Sequence, residues 1–224
     1  MLLLLDTANL EDIKKGIDLY PIEGVTTNPS IIARENTNFL SRICDIKDTI
    51  GSGRMLHVQT VGLKADDIVR EGVYLNQLMG DNFYVKIPVI PEGIKAMKVL
   101  KSMGVATTAT AIFTPQQVVM AARAGASYAA PYINRIDNII GDGVKVVEDI
   151  SRIISTHNLD IKVLGASFKN TEQIHKACLA GAHTITAPLD LVETLVNHPL
   201  TGASVEKFSI EWESVYGKKL TYDF

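Results

Sequence analysis

Short apolar runs alternate with longer amphipathic stretches along the whole chain, and that alternation constrains the fold more than any other feature. The runs lie at 2–5, 24–27, 55–59, 83–87, 106–111, 128–132, 162–166 and 184–187. Helix-like segments separate them, near 9–18, 38–50, 64–79, 91–103, 114–124, 141–157, 170–180 and 189–197. The runs show little polar alternation, as strands covered by helices on both faces require. Strand–helix alternation throughout implies a parallel sheet.

Local signals mark the ends of these elements. Thr114-Pro115 and Asn170-Thr171-Glu172 place a capping residue ahead of a helical run. Gly104, Gly125 and Gly181 each follow an amphipathic stretch and lead into a strand, where a helix C-terminus wants a left-handed residue. The first run ends in Asp6-Thr7-Ala8-Asn9 and lacks the glycine-rich turn of a doubly wound dinucleotide fold. About eight such units therefore predict a closed (β/α)₈ TIM barrel rather than an open sheet. Beyond it, 202–217 form a further helix-like stretch with Val205, Phe208, Trp212, Val215 and Tyr216 on one stripe, a stripe that something must cover. The expected organisation is a barrel over 1–200 and a helical extension over 201–224, within one domain.

Bulk properties exclude several classes. With a net charge of −3 and no basic tract, nothing favours nucleic acid or an acidic membrane as partner. No apolar run approaches a membrane span, and a cytoplasmic location is expected. Two cysteines, Cys44 and Cys178, make no disulfide framework and read as small buried hydrophobes. Neither a metal nor another cofactor is expected, since no His, Asp and Glu cluster has ligand spacing.

Barrel enzymes carry their chemistry at the C-terminal ends of the strands. Those ends present Asp6, Thr26-Thr27-Asn28, Gln59, Lys86, Thr108 with Thr110, Tyr132 with Arg135, and Ser167 with Lys169. Lys86 stands out as the one charge in Phe83-Tyr84-Val85-Lys86-Ile87-Pro88. Lysine is almost never buried without a partner, so the alternatives are a rim ion pair or a reactive amine. Burial disfavours the ammonium, and a free amine attacks a ketone to form an iminium, which opens C–C bond chemistry without a metal.

The other candidates divide by chemistry. Tyr132 is the best proton relay of the set. Arg135 and Ser167 are suited to gripping a phosphate, with a salt bridge to Asp137 as the structural alternative for Arg135. Asp6, Thr27 and Asn28 are suited to substrate hydroxyls, with helix capping as the alternative for Asp6 and Asn28. His57 shares the inward parity of Gln59 but lies deeper, and reads as a packed core histidine. Lys95, Lys98 and Lys101 read as a solvated helix face, and Lys169 as a possible anion contact.

Five stretches together resemble the small transaldolase family, and within it the fructose-6-phosphate aldolase branch. They are Leu5-Asp6-Thr7, Gly24-Val25-Thr26-Thr27-Asn28-Pro29-Ser30-Ile31-Ile32-Ala33, Val85-Lys86-Ile87-Pro88-Val89, Ala130-Pro131-Tyr132-Ile133-Asn134-Arg135-Ile136-Asp137 and Ala166-Ser167-Phe168-Lys169. The resemblance implies a Schiff base at Lys86. Transaldolases typically carry Glu on strand three and Phe on strand six, whereas this chain has Gln59 and Tyr132, the aldolase pairing. By the same resemblance, Tyr132 with a water held by Gln59 and Thr110 is the acid/base, Asp6 and Asn28 hold the donor, and Arg135 and Ser167 hold the phosphate. The implied reaction is reversible cleavage of fructose 6-phosphate, with transaldolase transfer or a non-catalytic sugar-phosphate-binding barrel as alternatives. The implied partners are a sugar phosphate and further copies of the chain, as a decamer or pentamer. His57 departs from the family, which tends to be apolar there.

Overall fold

The computed structural model describes all 224 residues, in two compact units, Met1–Leu189 and Asp190–Phe224. The first unit holds eight strands: β1 (Leu2–Asp6), β2 (Gly24–Thr26), β3 (Met55–Gln59), β4 (Phe83–Pro88), β5 (Thr107–Ile112), β6 (Tyr128–Pro131), β7 (Lys162–Gly165) and β8 (Thr184–Ala187). Every neighbouring pair is parallel, and β8 closes onto β1, so the sheet is the expected closed (β/α)₈ barrel. Helices follow the strands as α1 (Leu10–Leu19), α2 (Pro29–Arg34), α3 (Phe39–Ile50), α4 (Ala65–Met79) and α5 (Pro91–Ser102). They continue as α6 (Pro115–Arg123), α7 (Ile133–Asp137), α8 (Gly143–His157) and α9 (Thr171–Leu179). The α10 helix (Leu189–Thr194) begins at the unit boundary, and α11 (Pro199–Tyr216) makes up most of the second unit.

The end signals act as expected. Thr114 and Gln117 form a reciprocal capping box on α6, and the Asn170 side chain accepts from the Gln173 N–H on α9. Gly104, Gly125 and Gly181 take φ of +75°, +87° and +95°, which lets each helix turn into the next strand. Two short helices, α2 and α7, were not foreseen. Each is too short to show a 3.6-residue period, and each directly follows a strand end that carries site residues.

Parity then separates two cores. Residues facing outward, such as Val58, Val85, Ile87 and Ala109, are buried beneath the helices. The inward set fills the barrel below its mouth with Leu4, Met55, Tyr128, Ala130 and Leu164, against which Leu2, Tyr84 and Tyr132 pack. Each large apolar side chain so buried contributes roughly 1.5–3 kcal/mol. The barrel interior is therefore a packed core, and the polar side chains of the strand ends gather at its upper rim. In the second unit α11 buries none of its residues, and Val205, Phe208, Ile210 and Val215 are all exposed. No helix is long and apolar enough to cross a membrane.

Candidate active site

Strand pairing places Gln59 beside Lys86 and Lys86 beside Thr108, so three polar side chains share one inward band near the mouth. Lys86 is only 5% exposed and forms no ion pair with a carboxylate. Its Nζ donates instead to the carbonyl oxygen of Thr27, at 2.6 Å. Burial pushes the Lys86 amine below the ordinary lysine range, and the Asp6 carboxylate opposes this as the smaller effect. Asp6 is held by the Thr26 hydroxyl, which donates to it at 2.7 Å and lies 2.8 Å from the Thr186 hydroxyl. The rim-ion-pair alternative for Lys86 is thus replaced by a carbonyl contact that leaves a neutral amine its lone pair.

Across the mouth, the hydroxyls of Tyr132 and Thr110 share a hydrogen bond at 3.0 Å. The Arg135 guanidinium carbon lies 4.7 Å from the centre of the Tyr132 ring, which replaces the salt bridge to Asp137 weighed from sequence. Asp137 is occupied elsewhere, accepting from the Gly143 N–H and from Gln173. Gln59 Oε1 is buried without a hydrogen-bond partner, an acceptor aimed at nothing the chain supplies. Asn28 caps α2 through its side-chain oxygen, which accepts from the Ile31 N–H at 3.0 Å. The capping alternative therefore holds for Asn28, though its amide nitrogen makes no such bond. Thr27 turns its hydroxyl to the His57 carbonyl at 3.3 Å and offers Lys86 its own carbonyl.

Beneath Lys86 lies His57, fully buried, stacked on Tyr84 with ring centres 4.6 Å apart and edge-on to Tyr128 at 5.4 Å. Its Nδ1 is 2.9 Å from the Thr108 hydroxyl, and its Nε2 has no partner. Burial, and then the charge of Lys86, push the imidazole pKa down to about 3. This is the core histidine that parity implied.

At the far side of the rim, Ser167 adopts φ +64° at the end of β7, and its carbonyl accepts from the Asn134 N–H at 2.9 Å. Ser167 and the exposed Arg135 thus flank one edge of the mouth, while Lys169 is exposed with its backbone N–H capped by Gln173. The Lys95, Lys98 and Lys101 face is exposed, and both cysteines are half-buried free thiols rather than fully buried ones. A separate cavity of about 550 Å³ adjoins the rim between α2, α3 and α4, shared by Thr27, Asn28 and Gln59 and lined by Ile32, Phe39 and Tyr74. Two members of the site escaped the sequence reading. Thr186 sits one residue before its strand end, and its alternation with Thr184 was the available signal. Phe113, with its ring edge-on to Tyr132 at 5.9 Å, had none, because its inward position depends on an irregularity in β5.

A barrel with a buried lysine at its mouth, free of any carboxylate partner, and a polar ring around it is equipped for amine chemistry on a carbonyl compound. Residues 3–222 match the sequence model of the Transaldolase/Fructose-6-phosphate aldolase family, and the chain belongs to that family. It is similar to a probable transaldolase of Exiguobacterium sibiricum, at 39% identity over 95% of this chain and 98% of the relative. A probable transaldolase of Aquifex aeolicus is also 39% identical, over 96% and 98%. A probable fructose-6-phosphate aldolase of Streptococcus pneumoniae is 40% identical, over 93% and 95%. Among solved structures, a mutant flavocytochrome b2 with benzoylformate superimposes with a TM-score of 0.60 at 12% identity. That match covers 84% of this chain and 57% of the flavocytochrome chain, and it speaks to the barrel fold alone.

Proposed function

We propose that the protein is a Schiff-base aldolase that cleaves fructose 6-phosphate reversibly to dihydroxyacetone and glyceraldehyde 3-phosphate. The observation that carries the reading is the Tyr132–Thr110 hydroxyl pair on the same mouth as the buried Lys86 amine and the unpartnered Gln59 oxygen. Neutral Lys86 attacks the C2 carbonyl, and loss of water gives the iminium. The C4 hydroxyl passes its proton to the Tyr132 relay, the C3–C4 bond breaks, and its electron pair flows into the iminium to leave an enamine. Glyceraldehyde 3-phosphate departs, the relay returns the proton to C3, and water hydrolyses the iminium to free dihydroxyacetone. A water bridging Gln59, Thr110 and Tyr132 completes the relay, and it gives the orphaned Gln59 oxygen a donor. Arg135 and Ser167 bind the phosphate, while Asp6, Thr27 and Asn28 border the donor end.

Transaldolase activity is the second reading, favoured by the likeness to the probable transaldolases of Exiguobacterium sibiricum and Aquifex aeolicus. It uses the same lysine but retains the enamine until an acceptor aldehyde arrives. The deciding experiment incubates the protein with fructose 6-phosphate alone. Release of glyceraldehyde 3-phosphate without an added acceptor is expected. Turnover that appears only with erythrose 4-phosphate refutes the aldolase reading in favour of transfer. The same reading carries a homo-oligomer, supported by the exposed apolar side chains of α11.

A further inference from the structure

The β5 strand is irregular where it meets the mouth. Thr108 pairs with Tyr128 and Ala109 with Ala129, but pairing resumes only at Ile112, opposite Pro131. Thr110 and Ala111 together therefore stand against the single residue Ala130, which is a β-bulge. Ala111 takes φ +56°, a left-handed conformation that a residue with a Cβ adopts only under constraint from its surroundings.

The bulge reverses the facing of everything after it. Inward residues of a strand recur every second position, so Thr108 and Thr110 would be followed inward by Ile112. The extra residue puts Ile112 in register with Pro131 instead, on the outward face, where it is fully buried. Phe113 then comes to the mouth and presses its ring against Tyr132, at 5.9 Å and 76° between planes. Its backbone is pinned as well, because the Phe113 and Thr114 N–H groups both donate to Gln117 Oε1, at 2.8 and 3.1 Å. Tyr132 is thereby held on three sides: by Phe113, by the Arg135 guanidinium and by the Thr110 hydroxyl.

We propose that Phe113 is a positioning residue for the Tyr132 hydroxyl, carried into the barrel mouth by the bulge at Ala111. It rests on the reading of Tyr132 as the proton relay. An apolar ring edge-on to the tyrosine restricts its side-chain rotation without competing for its hydroxyl, so the hydroxyl stays on Thr110 between turnovers. A proton relay displaced by about 1 Å loses on the order of a hundredfold in rate, which makes such a brace consequential.

The test is steady-state cleavage of fructose 6-phosphate, repeated with erythrose 4-phosphate present, by the full chain and four variants. Phe113→Leu keeps the volume apolar but removes the ring edge, and should lower kcat about tenfold or more with KM within about threefold. Phe113→Tyr keeps the ring, and Ala111→Gly keeps the bulge without strain; both should hold kcat within about threefold. Tyr132→Phe is the control on the underlying reading. If it retains kcat, the proton-relay reading fails whatever Phe113 does. If it loses activity while Phe113→Leu does not, positioning alone is refuted. Should Phe113→Leu not fold, a tenfold loss in the folded Phe113→Tyr or Ala111→Gly enzyme would overturn the proposal by itself.

Discussion

Replacing His57 by Phe should make the protein markedly less sensitive to acid. The imidazole titrates at about 3 in the folded chain, because it is buried and shares the barrel interior with Lys86. Unfolded, it titrates near 6.5. The folded value is the lower one, so between the two the unfolded chain binds the extra proton. Stability associated with His57 is therefore complete above about pH 6.5 and is lost progressively as the pH falls toward about 3. Working the linkage through, about 2 kcal/mol disappears between about pH 8 and pH 5, and the loss approaches roughly 5 kcal/mol near pH 3. Phenylalanine keeps the stack on Tyr84 but leaves the Thr108 hydroxyl without its ring partner, a cost of about 1 kcal/mol that is the same at any pH. Urea unfolding of both proteins at the two milder pH values isolates the effect, since shared carboxylate titrations cancel in the difference. Wild type should lose about 2 kcal/mol more than His57→Phe on going to the lower pH. Equal losses would show that His57 accepts a proton inside the fold, and would refute the burial argument.

Lys86→Met should leave no borohydride-trapped adduct with the ketone substrate, yet be more stable than wild type at neutral pH by about 1–3 kcal/mol, because it removes a buried amine without opening a cavity. The folded lysine titrates below its unfolded value, so wild-type stability should rise relative to that of Lys86→Met as the pH approaches about 10.4, shared titrations cancelling in the difference; denaturation of both across that range checks it. Arg135→Ala should raise KM for fructose 6-phosphate about tenfold to a hundredfold, the worth of a charged hydrogen-bonded contact, while leaving KM for dihydroxyacetone in the synthetic direction unchanged. An equal effect on both substrates would remove Arg135 from the phosphate end.

Much of the molecule was legible in the chain because barrel physics repeats itself. Strand runs at 55–59 and 184–187 matched β3 and β8 to the residue, five others differed by one at their C-terminal end, and 106–111 lay one residue early at both ends of β5. Lys86 was conspicuous, since one charge in an apolar strand has few explanations. Its partner was not, because a backbone carbonyl such as that of Thr27 leaves no mark in residue types. The short α7 helix hid the geometry that lays Arg135 over Tyr132, so a salt bridge to Asp137 looked available when it was not. Phe113 was illegible for a sharper reason. A left-handed bulge is usually signalled by glycine, and here alanine occupies the position.

His57, Tyr84 and Tyr128 pack ring against ring in the barrel interior, an aromatic floor beneath the polar mouth. On the proposed reading, the ketone carbon is bonded to Lys86 at the bottom of that well, and the phosphate end lies near Arg135 at the threshold. In cleavage, the aldehyde fragment nearest the door leaves first and the three-carbon piece follows; in synthesis, the donor enters first and the acceptor seals it in. The covalent bond to Lys86 sets that order, and the shape of the well agrees with it: the piece still tethered is the one farthest from the door.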